Sequence, residues 1–177
     1  MTLRRPSRFA RREGSSAVEF AMVAMPFFFM MFAILELGLV FVTDSVLENA
    51  VMETGRLVRT GQAAGSNLTA AQFKTKLCEK MSIFQNDCPA RATVDVRVIP
   101  TFVNANPPDP MANGTSFNTA GLGYDRGQPC NLILIRTWYS QPLLTPFLKQ
   151  ALSKLGDGNV MMTATTTFRN EPYNGMC

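Results

Sequence analysis

Residues 11–42 read Arg-Arg-Glu-Gly-Ser-Ser-Ala-Val-Glu-Phe-Ala-Met-Val-Ala-Met-Pro-Phe-Phe-Phe-Met-Met-Phe-Ala-Ile-Leu-Glu-Leu-Gly-Leu-Val-Phe-Val. Between positions 20 and 42 only Glu36 carries a charge. At about 1.5 Å per residue that run makes a helix of roughly 35 Å, enough to cross a hydrocarbon core of about 30 Å. Five arginines precede it (Arg4, Arg5, Arg8, Arg11 and Arg12). The positive-inside rule keeps them cytoplasmic and predicts that everything after Thr43 is exported.

Working outward, the basic N-terminus admits several readings. A cleaved secretory signal has an apolar region of about 7–15 residues and a small-x-small cleavage site; this run is longer and lacks such a site at its far end. A twin-arginine export signal fits less well, because Pro6 follows Arg4-Arg5 and the span is long. A plain uncleaved anchor accounts for the arginines and the apolar run. It leaves unexplained Glu19, a carboxylate at the edge of the span and five positions after Gly14. An ionised group buried in lipid needs a partner.

That arrangement resembles the processing site of type IV prepilins: a glycine, small residues, a glutamate and a hydrophobic helix. The resemblance implies a membrane-embedded prepilin peptidase cutting between Gly14 and Ser15, with the helix left in the membrane. Glycine tolerates the backbone conformations that a protease cleft imposes. It also implies that Glu19, then the fifth residue, faces the amino terminus of a neighbouring subunit and sets assembly register.

The wider pattern continues through Pro26, Ile-Leu-Glu-Leu-Gly (34–38), Glu-Asn-Ala (48–50) and Gly-Arg-Leu-Val-Arg-Thr-Gly (55–61). In order and spacing it resembles the TadE-like pseudopilins of the tight-adherence (Flp) pilus system. Ile-Arg-Thr-Trp-Tyr (135–139), the stretch around Pro146 and Phe-Arg-Asn-Glu-Pro-Tyr (168–173) resemble exported portions of the same family more loosely. The implied role is a minor pilin subunit acting in assembly or at the tip of a Flp pilus. Its implied partners are the prepilin peptidase, other pilin subunits, the Tad assembly machinery and the inner membrane. The alternative, from another class, is an unprocessed single-pass anchor carrying a periplasmic binding or sensor domain.

Charge agrees with this topology. The formal charge of +4 resides wholly in residues 1–14, where five arginines face Glu13, and the remainder balances 12 basic with 12 acidic residues. Nothing in that distribution suggests a nucleic-acid surface. Four cysteines (Cys78, Cys88, Cys130 and Cys177) all follow the span, and an even number in an exported segment favours disulfides. Three pairings are open; the expectation is Cys78–Cys88 as a short local loop and Cys130–Cys177 tying the tail to a strand. A zinc site is disfavoured by wide spacing, by the lack of a Cys-x2-Cys pair and by the absence of histidine.

The same absence rules out histidine-based triads, and no phosphate loop of the usual spacing is present. Ser153 and Lys154 are adjacent and cannot face each other on a helix. No enzyme activity, cofactor, metal or small-molecule substrate is therefore expected.

Within the span, Pro26 removes one helical hydrogen bond, reading either as a kink or as a soft point where subunits pack. Glu36 reads either as an interfacial carboxylate or, with Gly38 and Ala33 permitting close approach, as a helix–helix contact. Beyond Thr43 the helix continues as an amphipathic stalk, its stripe formed by Val46, Leu47, Ala50, Val51, Leu57 and Val58. Gly61 and Gly65 stop it.

The expected organisation is a basic leader (1–14), the N-terminal helix (15–61) and a small exported α+β domain (62–177). That domain should hold two helices and a three-stranded sheet. The first helix starts at Thr69 with a capping box to Gln72 and buries Phe73, Leu77, Met81 and Phe84. The second starts at Thr145-Pro146 and presents Phe147, Leu148, Ala151, Leu152 and Leu155 as its apolar face. Strands are expected at 93–99, 131–139 and 160–168, the middle one central because it is nearly continuously apolar. Asp95 and Arg97 read as a solvated pair on the open face of the first strand. Trp138 and Tyr139 read as packing residues. The Pro-, Gly- and Asn-rich stretch 100–129 reads either as a partner-binding loop or as a variable surface loop.

Overall fold

The apolar run and the stripe beyond it form one uninterrupted helix, α1 (Glu13–Arg59). The structure, a computed structural model, describes residues 13–103, 105–111, 114 and 116–173, with side chains from Ser15 onward. Residues 1–12 of the expected leader, and Cys177, the expected partner of Cys130, lie outside the described residues. After α1 come α2 (Gln62–Gly65), α3 (Ala70–Glu79), a 3-10 turn (Ser82–Phe84), α4 (Cys88–Arg91), β1 (Ala92–Ile99), β2 (Leu132–Pro142), α5 (Pro146–Leu152) and β3 (Asn159–Arg169). The architecture is α+β, with the one-turn helices α2 and α4 added to the two helices expected.

The sheet is antiparallel in the order β1-β2-β3, so the apolar β2 is central as its composition demands. One face carries Val96, Ile133, Ile135, Tyr139, Met162 and Ala164, and these residues join the core that α1 and α3 close. Val40, Thr43, Leu47, Ala50, Val51, Thr54, Gly55 and Val58 are buried in α1, and they lie along one side of it. Gly55 lets the helix lie close to the sheet: a Cβ there would stand 3.3 Å from the Phe168 ring and 3.4 Å from Ile135.

Local signals set the ends of the elements. Thr69 and Gln72 form the expected capping box at α3, satisfying backbone donors that a helix start leaves open. Gly61 ends α1 in the left-handed region (φ 76°), and the Tyr173 ring occupies the place its Cβ would take. The Glu171 N–H donates to the Arg59 carbonyl at 2.8 Å, so the chain's last described segment seals the top of α1. A disulfide joins Cys78 at the end of α3 to Cys88 at the start of α4; Cys130 is also disulfide-bonded.

The second face of the sheet corrects the sequence reading. Asp95 is not solvated but fully buried, and Arg136, opposite it on β2, is 9% exposed. The stretch 116–125 folds back over this face. It pairs Tyr124 with Val96 in a parallel bridge and packs Phe117 edge-on against Trp138, ring centroids 5.8 Å apart. Period-two alternation distinguishes the two faces of a strand but does not say which segment returns to cover one. Only β3, at the sheet edge, keeps a polar open face at Thr163, Thr165 and Thr167.

The α5 reading also needs correction. Leu148 is buried, but Phe147 and Ala151 are exposed, because α5 lies on the margin of the body with one side free.

Candidate functional site

The candidate site is the lower part of α1. No described residue from Ser15 to Leu39 is buried, although that stretch holds five of the chain's 13 phenylalanines and four of its 11 methionines. Phe20 is 73% exposed and Met25 77%. A contiguous apolar surface of this size marks an interaction with lipid or protein. The helix passes the length and composition test for crossing a membrane once.

Gly14 and Ser15 sit in the first turn of α1, where the first four N–H groups have no helical acceptor and the turn is easily opened. The Ser15 hydroxyl donates to Glu19 Oε1 at 3.1 Å across one turn, and both side chains are exposed. Glu19 thus has no long-range partner in its own chain among the described residues. Pro26 lies inside the helix, which continues through it. A Cβ at Gly38 would meet nothing within 4 Å, so nothing in this chain requires glycine there.

Glu36 is different. Its carboxylate accepts the N–H groups of Leu144 and Thr145, the latter at 2.8 Å, at the start of α5. Thr145 occupies the N-cap position with no side-chain cap bond, so a carboxylate 109 residues away performs the capping. The structure therefore brings Glu36 to α5, while Glu19 is bonded within its own turn to Ser15. Neither reading of Glu36 from the sequence anticipated this partner.

A second polar cluster lies in the body. Asp95 Oδ2 accepts from Arg97 Nε at 2.8 Å and Arg136 Nη2 at 2.7 Å, and Oδ1 accepts the Gly123 N–H at 2.9 Å. Arg136 also lies over the Trp138 ring, 4.9 Å from its centroid. Burial alone would raise the Asp95 carboxyl, but the bonds from Arg97, Arg136 and Gly123 outweigh it and hold the group below its ordinary 3.8. With every acceptor engaged, the cluster staples 116–125 to the sheet and leaves no reactive group free. A signal for it existed: Arg136 interrupts the apolar run of a central strand, where a charge needs a carboxylate on a neighbouring strand.

Among the described residues no group of three or more potential ligands could hold a metal ion. No curated protein and no solved structure matches the chain. One family model does match. Its match stops short of Gly61 and of the stretches 135–139 and 168–173, and falls on the exposed helix and on all of its buried stripe except Val58. The segment covered, residues 14–56, matches the model described as TadE-like protein, and over that stretch the chain is similar to that family.

Proposed function

We propose that the protein is a minor pilin subunit for assembly or the tip of a Flp (Tad) pilus, and that a prepilin peptidase releases its mature form by cutting between Gly14 and Ser15. The observation that carries this reading is the coincidence of the TadE-like match with a helix in which no residue from Ser15 to Leu39 is buried. A helix of that kind is stored in lipid before assembly and packed against sister helices afterwards. The chemistry is structural and needs no catalytic group on this chain.

Glu19 is the register residue. Cutting after Gly14 creates an ammonium at Ser15, and a carboxylate on the next subunit's helix is its natural partner in a low-dielectric bundle. Within one chain, the Ser15–Glu19 bond holds that carboxylate at the exposed helix end meanwhile. Pro26 supplies a soft point for repacking, and Gly38 an unobstructed surface for a neighbouring helix.

The intact mass and N-terminal sequence of the protein from native membranes, with and without the peptidase, test the proposal. A chain starting at Ser15 only when the peptidase is present is the expected result. A chain starting at Met1 under both conditions overturns it and assigns the protein to the anchored periplasmic class.

A further inference from the structure

Glu36 fixes where the folded body meets the bare part of α1. From Ser15 to Glu36 the helix rises roughly 30 Å, one hydrocarbon thickness. At the level of Glu36 the body begins, and its lowest side chains are apolar and exposed: Leu144 at 84%, Ile83 at 76% and Phe147 at 61%. Leu144 and Ile83 line, with Phe32, Leu35 and Leu39 of α1, the apolar part of an open groove of about 690 Å³ whose lining also includes Asp87, Arg91 and Gln141. On the side of α1 facing away from the body, Phe41 and Val42 are exposed as well. They lie about 9 Å beyond Glu36 along the helix.

A bilayer that covers Phe41 and Val42 therefore immerses Leu144 and its neighbours. That depth matches the 5–10 Å at which amphipathic segments settle into the boundary between headgroups and acyl chains. We infer that the underside of the body, centred on Leu144, Phe147 and Ile83, rests in the outer interfacial layer of the same membrane that α1 crosses. The occupant of the apolar part of the groove is then lipid acyl chain. Three observations favour lipid: the rim is continuous with the apolar surface of α1, the Glu36 bonds hold it at one height, and Lys149 is exposed one turn after Thr145 to meet headgroups. Glu36 is the positioning residue, because it ties the β2–α5 turn to the helix.

The inference rests on the membrane-span reading, and the experiment separates the two. Full-length protein is reconstituted in phosphatidylethanolamine–phosphatidylglycerol vesicles whose acyl chains carry bromine either near the headgroup or near the chain end. Tryptophan emission is read for Phe29→Trp, Leu144→Trp, Phe147→Trp and Val103→Trp against the parent, whose Trp138 is buried. Phe29→Trp reports the span and loses emission to deep bromine. Leu144→Trp and Phe147→Trp are expected to lose emission to shallow bromine, and Val103→Trp to neither. Quenching at position 29 with none at 144 and 147 overturns the inference alone and hands the rim to a protein partner. No quenching at 29 overturns the span reading and the inference with it.

Discussion

Between Ser15 and Leu39, α1 is apolar on every side and packs against almost nothing; between Val40 and Val58 it is apolar on one side, and that side is buried in the body. The backbone is one helix throughout. What differs is the angular distribution of large apolar side chains. An all-round distribution needs a solvent that is itself apolar, or other helices; a stripe needs one surface, which the sheet supplies. The two halves should thus draw their stability from different sources.

Breaking the Asp95 cluster should separate them most sharply. Asp95→Ala leaves Arg136 buried without its carboxylate and is expected to destabilise the body by about 3–5 kcal/mol. In chemical denaturation the near-ultraviolet signal of Trp138 should be lost earlier, while far-ultraviolet helicity from the lower half of α1 persists. Coincident loss of both signals would mean that the halves are one unit. Acid acts on the same group. Because the folded carboxyl lies below its ordinary 3.8, its contribution is complete above about pH 4 and is lost as pH falls toward the folded value. The tertiary signal should fade in that window, and in Asp95→Ala this part of the acid dependence should be absent.

Truncations compare the halves directly. Leu47 is fully buried, so Leu47→Ala should cost about 2–5 kcal/mol. Phe29→Ala, removing a larger but half-exposed side chain, should shift the midpoint of body unfolding by no more than about 0.5 kcal/mol. Equal effects would break the comparison. Removing the disulfide with Cys78→Ser should weaken the body by about 2–4 kcal/mol, since the loop it closes is short. The smallest effect is expected at the boundary: Glu36→Ala frees two N–H groups at the start of α5 and should cost about 1 kcal/mol, the usual worth of a helix cap. Hydrogen exchange at Leu144 and Thr145 should accelerate while exchange in β2 does not.

Much of this could be read in the chain because it depends on neighbours in sequence. Long α1 follows from an unbroken run of helix-compatible residues, its stripe from spacings of three and four, and the α3 start from Thr69 and Gln72. The three strands follow from alternation and from the continuous apolarity of β2. The exposed apolar stretch of α1 was legible for the same reason; the roles proposed for Gly14, Ser15, Glu19 and Pro26 rest on a local pattern of the same kind. Where the reading failed, the partner was remote. Asp95 looked solvated because the segment that buries it comes back from 28 residues away, at Gly123, and its second arginine lies 41 residues on. Phe147 looked like core because a helical stripe names a face without naming what stands against it.

The sequence by itself thus determined a helix long and apolar enough to cross a membrane, the side of α1 that packs, the helix starts and the strands, all consequences of periodicities within a few turns of chain. Only the tertiary structure decided that 116–125 closes the sheet over Asp95 and that Glu36 caps α5, 109 residues away. Bonds of that kind join groups whose chemistry is visible in the sequence, but their pairing is settled only when loop closure and burial bring the two ends together.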